Sequence, residues 1–282
     1  MRYAAGMIVD EQADVLGNRT LSAEYNVVTL GAATIAAAAR PGQFVMIKTK
    51  PGLEPLLRRP FSIFEIVRGP DGTPHGISIL NKRIGTGTGQ LFDVRVGDRL
   101  GCLGPLGQPW PLVEPPTTAW MVAGGVGLAP FATLAEALAS RGVTTRLFYG
   151  ARRGEDLYYA EWFADRGADL VLATEDGSRG AHGFITVPLD AALRAAPADQ
   201  PIAIYCCGPT PMMQAVAQRA ATAGRDAWVS LEQVMGCGMG GCYSCVVPVK
   251  TAHGTPHFLR SCTAGPVFAA STLEWEGLAH HG

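Results

Sequence analysis

Four cysteines near the carboxyl end of the chain constrain its fold more than any other feature. They are spaced C-x4-C-x2-C-x16-C, at Cys237, Cys242, Cys245 and Cys262. The first three lie in a glycine-rich stretch, which allows positive φ angles and a close approach of the backbone to an inorganic group. This spacing is typical of plant-type [2Fe-2S] loops, in which one turn supplies three thiolates and a distant cysteine the fourth. The sequence therefore predicts a [2Fe-2S] cluster.

A structural zinc site is the alternative, because zinc is also bound by four cysteines. Zinc sites usually combine two closely spaced cysteine pairs, and Cys262 has no such neighbour. The chain has seven cysteines, an odd number with four of them clustered, which favours a metal site over disulfides. Such usage is typical of a reducing compartment, so the cytoplasm is the expected location.

Composition bounds the class of protein. A chain of 282 residues, 48% hydrophobic and 17% charged, suits a globular protein of two domains with a small addition. A net charge of −1 provides no electrostatic basis for binding nucleic acid or an anionic membrane surface. No apolar run approaches the length of about 18 residues that predicts a transmembrane helix. We expect no nucleic-acid partner and no membrane.

The pattern of the chain changes twice. Residues 1–114 contain short β-rich runs between turn signals, which predicts an antiparallel barrel. The Ala-rich run 32–39 could form a helix, but its place between strands speaks against one. Residues 115–227 alternate strands with helices, one of them expected over 156–163, which predicts a doubly wound parallel sheet. Residues 228–282 are expected to hold the cluster as a small subdomain.

Two stretches of the first segment have the composition of a flavin site. In Arg58-Arg59-Pro60-Phe61-Ser62, arginine can hold a pyrophosphate through paired N–H donors and Ser62 can hydrogen-bond a ring edge. Further on, the loop over residues 85–89 can direct backbone N–H groups at a phosphate. Taken alone, a surface Arg beside a buried Phe and a flexible hairpin are the simpler interpretations. The two stretches together favour a site.

The second segment has turns of the kind that bind nucleotides. Gly125-Val-Gly127-Leu-Ala-Pro130 follows a strand and opens a helix, where pyrophosphate binds at helix N-termini. It departs from G-x-G-x-x-G, because Pro130 stands where the third glycine belongs. A second strand-to-helix turn, Cys207-Gly208-Pro209, is expected at the same sheet edge. Asp176 is expected either to bind a ribose hydroxyl or to close a turn.

The order of these motifs resembles that of the ferredoxin–NADP reductase superfamily. The cysteine block from Met235 to Cys245, together with Cys262-Thr-Ala-Gly265-Pro266-Val267-Phe268, narrows the resemblance. It is similar to the electron-transfer subunits of NAD-dependent (class 1B) dihydroorotate dehydrogenases. Stretches 42–45, 103–107, 149–152 and 208–213 also fit, so the resemblance covers nearly the whole chain.

The resemblance implies the cofactors and their sites, with no acid–base residue among them. FAD is expected on Arg59, Pro60, Phe61, Ser62, Leu80, Asn81, Lys82, Gly87 and Thr88. NAD is expected on Gly125, Gly127 and Asp176, with Cys207 near the nicotinamide, and the cluster on Cys237, Cys242, Cys245 and Cys262. The family commonly has Arg where Lys82 stands, which keeps the charge but loses the paired donors. Arg152-Arg153 is compatible with a 2′-phosphate, so NAD rather than NADP rests on the resemblance.

The resemblance also implies an activity and a partner. An FMN-containing catalytic subunit would oxidise dihydroorotate in pyrimidine biosynthesis, and electrons would pass through [2Fe-2S] and FAD to NAD⁺, in a heterotetramer with two copies of each subunit. The nearest alternative is a flavin/iron–sulfur reductase subunit of another complex, such as a hydrogenase or a bifurcating transhydrogenase. A self-contained oxygenase reductase matches less well, because its ferredoxin domain has a longer last spacing. A zinc-stapled binding module would leave the flavin and nucleotide motifs without a role.

Overall fold

The computed structural model describes residues 8–50, 52–251 and 257–278, which form two seven-stranded sheets and a two-stranded one. The first sheet is built from β1 (Val9–Thr20), β2 (Tyr25–Gly31), β3 (Phe44–Lys48), β4 (Arg59–Ser62), β5 (Glu65–Arg68), β6 (Pro74–Lys82) and β7 (Arg99–Leu106). The second begins with β8 (Thr118–Gly124), β9 (Thr145–Ala151), β10 (Asp169–Thr174), β11 (Ala181–His182), β12 (Ile202–Cys207) and β13 (Asp226–Ser230). Then β14 (Val246–Val249) pairs with β15 (His257–Arg260), and β16 (Val267–Ala269) returns to the second sheet.

The helices are short. They are α1 (Ala33–Ala38), α2 (Thr86–Phe92), α3 (Ala132–Ala139), α4 (Ala160–Ala164), α5 (Thr186–Ala195), α6 (Thr210–Thr222), α7 (Ser261–Ala264) and α8 (Trp275–Leu278). Turns of 3-10 helix cover Gly125–Phe131, Gly154–Asp156 and Ala270–Thr272. None of the helices in the described ranges has the length and apolar content needed to span a membrane.

The first sheet is an antiparallel half-barrel with the strand order β4-β3-β7-β1-β2-β6-β5. Its strands carry β-branched and aliphatic residues at alternate positions, which suits a sheet with one buried face. These residues meet in one apolar core that includes Val15, Val28, Ile47, Ile79 and Leu100. The predicted antiparallel barrel is therefore confirmed in the form of an open, curved sheet.

The Ala-rich run forms helix α1, so the expectation against a helix there was wrong. Ile35 and Ala36 of α1 are buried in the core of the half-barrel. Because these side chains pack on β6 and β7, tertiary contacts stabilise a helix too short to persist alone. The helix ends at Ala38, and its C-cap Ala39 precedes Arg40-Pro41.

The second sheet has the order β11-β10-β9-β8-β12-β13-β16, parallel as far as β13, with β16 antiparallel at the edge. Alternate residues of β8 face opposite sides, with Met121 in one apolar cluster and Val122 in the other. Leu134 of α3 covers the first side, and Leu189 of α5 and Val216 of α6 cover the second. The predicted doubly wound sheet is confirmed.

Two local predictions differ from the structure. The helix expected over 156–163 is reduced to a 3-10 turn and α4, because Tyr159 adopts a left-handed φ of 61° between them. The Tyr159 ring packs edge-on against Phe64 of the half-barrel at 4.7 Å and its hydroxyl accepts a hydrogen bond from Arg19. The glycine–threonine loop is mostly the first turn of α2, where the Thr88 hydroxyl accepts the backbone N–H groups of Ile84 and Gly85.

The C-terminal segment is attached to both sheets. β13 runs across the predicted boundary between residues 227 and 228, and β16 pairs with β13. Gln108 of the first segment donates its backbone N–H to Gly265 and its side chain to Thr263. The cysteine segment is therefore in contact with both sheets. The domain limits 1–114, 115–227 and 228–282 stay predictions.

Candidate functional site

A cleft opens where the half-barrel, the parallel sheet and the cysteine segment meet. Its lining from the half-barrel is Phe44, Pro60, Phe61, Ser62, Leu80, Asn81, Lys82, Ile84 and Thr88. Its lining from the parallel sheet and beyond is Val126, Ala129, Cys207, Ser230, Leu231, Glu232, Gln233, Met235 and Pro266. The structure thus brings most of the residues predicted for FAD into one place, together with Cys207.

The two remaining predicted FAD residues lie against each other beside this cleft. Arg59 begins the edge strand β4, where Pro60 is tolerated because edge strands leave backbone N–H groups unpaired. A Cβ on Gly87 would lie 2.9 Å from Cγ of Arg59, so only a glycine lets the Arg59 side chain run along the start of α2. The Arg59 guanidinium donates to the carbonyl oxygens of Leu57 and Arg58.

The polar groups of the half-barrel wall fit a flavin nucleotide. Asn81 is 1% exposed, and its Oδ1 is buried without a hydrogen-bond partner, although its Nδ2 donates twice. Lys82 holds a positive charge at the cleft, 3.8 Å from the Glu24 carboxylate and 5.3 Å above the Tyr25 ring. An unmet acceptor and a cation beside apolar and aromatic walls suit a ligand with N–H or O–H donors, a flat ring and phosphates. These residues fit FAD.

The nucleotide turns come together at the carboxyl ends of neighbouring strands. Gly125, at a φ of +54°, and Gly127 follow β8, and Cys207 ends β12, which pairs with β8. Gly127 packs so closely on the Cys207 backbone that a Cβ would lie 2.4 Å from its carbonyl oxygen. Burial raises the pKa of the Cys207 thiol well above its ordinary value, so the thiol is neutral and apolar. This edge of the sheet fits a dinucleotide, whose pyrophosphate must come close to the protein backbone.

Asp176 lies apart from these residues, in the exposed turn after β10. Its Oδ1 accepts hydrogen bonds from Oγ of Ser178 at 2.6 Å and from the backbone N–H of Ser178 at 2.9 Å. The bonds from Ser178 hold the pKa of the Asp176 carboxyl below its usual value. The carboxylate closes a turn here, and a ribose contact stays a prediction. Nearby Arg153 is paired with Glu155 at 2.7 Å and Asp156 at 3.4 Å.

Glu232 is the acidic residue of the cleft lining, and it was not predicted from the sequence. It lines the cleft just beyond β13 and is an exposed residue. Desolvation raises its pKa above the ordinary value, and Lys82 opposes that shift. Its position in the sequence could have identified it, because an acid just after a parallel strand lies at the edge where such sheets bind ligands.

The four predicted cluster cysteines lie in the C-terminal segment, and two of them, Cys245 and Cys262, share an apolar cluster with Met235. Cys245 and Cys262 are buried, whereas Cys237 is half-buried and Cys242 is exposed. Gly238 and Gly240, with φ of +73° and +83°, allow the loop to turn its backbone N–H groups inward. The Cys237 Sγ accepts the N–H groups of Gly241 at 3.2 Å and Met239 at 3.4 Å.

The thiols stand in two pairs. Hydrogen bonds from Ser244 and from Cys237 lower the pKa of the Cys242 thiol to about 6. Burial, and then Cys245, raise the pKa of the Cys262 thiol to about 12. Among the described residues, no three His, Cys, Asp or Glu side chains converge as tightly as one metal ion requires. Two thiol pairs with inward N–H groups suit a cluster of two irons, each bound by two thiolates.

The cysteine loop is packed directly on the half-barrel. Cys245 and Cys262 share an apolar cluster with Phe44, Met46, Leu103, Leu106 and Met235. A Cβ on Gly238 would lie 2.5 Å from Cγ of Met46, so the loop is in contact with β3. Phe44 and Met235 line the cleft as well. One layer of side chains therefore separates the cysteines from the cleft.

Two family models match the chain. An iron–sulfur cluster binding domain of dihydroorotate dehydrogenase B matches residues 232–274, which include all four cysteines. An oxidoreductase NAD-binding domain matches residues 121–218, which include Gly125, Gly127, Asp176 and Cys207.

Relatives of known identity match almost end to end. The dihydroorotate dehydrogenase B (NAD(+)) electron transfer subunit of Bacillus caldolyticus is 36% identical over 269 residues, covering 95% of this chain and 99% of the relative. The corresponding subunit of Geobacillus thermodenitrificans is 36% identical over 272 residues, with the same coverage.

Solved structures share the fold. The structure of an NADH-dependent reduced ferredoxin–NADP oxidoreductase, studied for flavin-based electron bifurcation, superposes with a TM-score of 0.82 at 27% identity, covering 95% of this chain and 92% of that one. A ferredoxin NADP⁺ reductase from Neisseria gonorrhoeae superposes at 0.64 and 16% identity over 76% of this chain and 92% of that one, which supports the fold alone.

Proposed function

This chain belongs to the family of dihydroorotate dehydrogenase B electron transfer subunits, and from that premise we propose that it connects a catalytic partner to NAD⁺. The partner is an FMN-containing subunit that oxidises dihydroorotate to orotate in pyrimidine biosynthesis. This chain holds a [2Fe-2S] cluster and FAD, and the complex contains two copies of each subunit. A cytoplasmic location belongs to the proposal, and all seven cysteines being free supports it.

One observation carries this proposal. Phe44 and Met235 pack against the cluster cysteines Cys245 and Cys262 on one side and line the cleft on the other. A redox group held by the cysteines and a ring held in the cleft would therefore be separated by a single apolar layer. The same cleft reaches Cys207 at the nucleotide edge. Three sites in a row support a relay rather than a single-site reaction.

The half-barrel would hold FAD. Pro60, Phe61 and Leu80 provide apolar and aromatic walls, and Asn81 and Lys82 provide an acceptor and a positive charge. When bound, a flavin supplies the conversion between one-electron transfer and hydride transfer. The protein's part is to keep the ring between the cysteine segment and the nucleotide edge and to exclude water from it with Phe44 and Met235.

The parallel sheet would hold NAD(H). Gly125 and Gly127 allow a phosphate to approach the backbone, and Cys207 places a small neutral thiol where the nicotinamide would meet the flavin. Asp176, in the turn after β10, is the proposed ribose contact. The carboxylates of Glu155 and Asp156 pair with the Arg153 guanidinium and would compete with a 2′-phosphate for it. This supports NAD over NADP.

The exposed side of the cysteine loop is the proposed entrance for electrons. Cys242 is exposed, and Met239 and Tyr243 beside it are 59% and 62% exposed. Cys245 and Cys262 face the opposite way, into the protein. A partner seated over Met239 and Tyr243 would approach one end of a cluster whose other end lies against Phe44 and Met235.

The test is the activity of the complex purified anaerobically with its catalytic subunit. Dihydroorotate should drive NADH formation, and Cys245→Ser should abolish it while FAD stays bound. If dihydroorotate gives no NADH although NADH still bleaches the flavin, the partner assignment falls. The chain would then be a reductase subunit of another complex, the alternative that its likeness to the bifurcating oxidoreductase keeps open.

A further inference from the structure

Three asparagines form a hydrogen-bonded chain through the half-barrel that ends at the cleft. We propose that Asn18 and Asn26 are positioning residues, which hold Asn81 so that its oxygen accepts a hydrogen bond from an N–H or O–H donor of bound FAD. The inference rests on the proposed function in one respect, that FAD occupies this cleft.

The chain runs across three neighbouring elements. Asn81 Nδ2 donates to Asn26 Oδ1 at 2.8 Å and to the carbonyl oxygen of Thr88 at 3.0 Å. Asn26 Nδ2 donates to Asn18 Oδ1 at 2.7 Å and to the carbonyl oxygen of Leu91 at 3.4 Å. Asn26 and Asn81 are direct cross-strand partners on β2 and β6, so their side chains share one face of the sheet.

The Asn18 end of the asparagine chain fixes the orientation of all three side-chain amides. Asn18 Nδ2 donates to the carbonyl oxygens of Phe92 at 2.9 Å and Val94 at 2.8 Å. Backbone carbonyl groups only accept hydrogen bonds, so the Asn18 amide nitrogen must face them and its oxygen must face Asn26. The same reasoning orients Asn26 through Leu91 and Asn81 through Thr88. Turning any one amide over would set two oxygens against each other.

The consequence is an acceptor without a donor. With both Nδ2 hydrogens used inside the protein, the one free polar atom of Asn81 is Oδ1, which is buried and has no hydrogen-bond partner. Asn26 is 0% exposed and Asn81 1% exposed, so protein encloses both amides almost completely. A buried acceptor without a donor is costly, and Asn81 lines the cleft. A ligand N–H or O–H group beside Asn81 would donate the hydrogen bond that its Oδ1 lacks.

The asparagine chain also positions α2, which begins at the glycine–threonine stretch predicted to bind a phosphate. Three of its four carbonyl acceptors, those of Thr88, Leu91 and Phe92, belong to α2, the helix that opens at the glycine–threonine stretch. Since α2 has seven residues, too few for intrinsic stability, these side-chain bonds tie it to β1, β2 and β6. One network therefore orients the acceptor and anchors the helix beside it.

The test is the affinity of the apoprotein for FAD, followed by flavin fluorescence. Asn81→Ala should raise the FAD dissociation constant roughly threefold to tenfold, as the loss of one hydrogen bond does. Asn26→Ala should raise it in the same direction, because the freed Asn81 amide can rotate. The combined Asn26→Ala/Asn81→Ala variant should bind FAD no more weakly than Asn81→Ala alone.

The matched control is Ser78→Ala, on the same strand as Asn81. Ser78 is 2% exposed and bonded to Glu65, and it does not line the cleft. It should leave FAD affinity unchanged. Should Asn26→Ala fail to fold, Asn18→Ala, which acts at the half-buried end, should show a smaller loss that again vanishes in the Asn81→Ala background.

Independent, additive effects of Asn26 and Asn81 on FAD affinity would overturn the inference, and so would an Asn81→Ala protein with unchanged affinity. Failure of the unaltered apoprotein to bind FAD would instead overturn the proposed function. FAD methylated at ring N3 separates the two kinds of donor. A loss of affinity confined to proteins with Asn81 identifies the ring N–H as the donor, and an equal loss with and without Asn81 assigns the donor to another N–H or O–H group of FAD.

Discussion

Gly127 and Cys207 meet backbone to backbone, so closely that a Cβ on Gly127 would lie 2.4 Å from the Cys207 carbonyl oxygen. Cys207 ends β12, and Gly127 lies in the turn that follows the neighbouring strand β8; from these two strands the chain continues to opposite sides of the sheet. Such switch points are where open parallel sheets bind ligands. The contact therefore brings the two halves of the nucleotide edge to one place.

Gly127→Ala is expected to weaken NADH binding and to destabilise the protein by about 1–3 kcal/mol, because the added Cβ must push backbone atoms apart. NADH titration and urea unfolding measure the two effects. Gly17→Ala is the control, since the nearest atoms there lie 3.7 Å away, at ordinary contact distance. NADH affinity that stays unchanged in Gly127→Ala would contradict this account of the edge.

Cys245→Ser is expected to remove the cluster, because its buried thiol is one of four proposed ligands and serine replaces a soft thiolate with a hydroxyl. Iron content and visible absorption of anaerobically purified protein measure the loss. Cys102→Ala serves as the control. Cys102 is buried in the half-barrel core, where desolvation raises its thiol pKa to about 12. Full iron content in Cys245→Ser, or loss of iron in Cys102→Ala, would overturn the ligand assignment.

Glu232→Gln is expected to raise the thermal stability of the apoprotein at neutral pH. Because desolvation raises the folded-state pKa of Glu232 above its ordinary value of 4.5, the folded protein holds that proton more tightly than the unfolded chain. Its contribution to stability is thus full below pH 4.5 and is lost as pH rises through the folded pKa. The melting temperatures of the variant and the unaltered protein should therefore approach each other toward pH 4.5.

The control for this pH series is Asp199→Asn, an exposed acid in the loop before β12. It should shift the melting temperature little at any pH in the range. A Glu232→Gln advantage that grows as the pH falls would have the wrong sign and would refute the assigned desolvation.

Trp110→Ala is expected to cost about 3–5 kcal/mol of unfolding free energy, as the removal of a buried aromatic ring does. The Trp110 ring stacks on Phe131 at 5.6 Å and its Nε1 donates to the Pro130 carbonyl at 3.1 Å. It thereby joins the segment after the half-barrel to the turn before α3. Urea unfolding measures this cost. Trp275 is only half-buried, so Trp275→Ala should lower the unfolding free energy by less. Equal losses would show that Trp110 has no special role.

Much of the architecture could be predicted because it depends on local pattern. The runs at Tyr25, Gln43 and Gly76 became strands β2, β3 and β6, and alternation of strands and helices after Pro116 became the parallel sheet. The errors occurred where distant contacts decided the outcome. Helix α1 forms because Ile35 is buried under the half-barrel, and the Tyr159 ring on Phe64 accompanies the break before α4.

The sequence by itself determined which chemistry to expect of the four cysteines, a [2Fe-2S] cluster in preference to zinc. Thiolate spacing and glycines within one loop are local properties, and they predict a four-cysteine iron–sulfur site without reference to the rest of the chain. The type of each sheet follows from residue periodicity, which is equally local.

Only the tertiary structure decided how the sites are joined. Phe44 and Met235 lie far apart in sequence, yet together they form the layer between the cysteines and the cleft. Likewise, Asn81 has a defined free acceptor because Asn26 and Thr88, on separate elements, take both of its N–H donors. Such relationships depend on which surfaces meet when the sheets pack, and this information is carried by the whole chain at once.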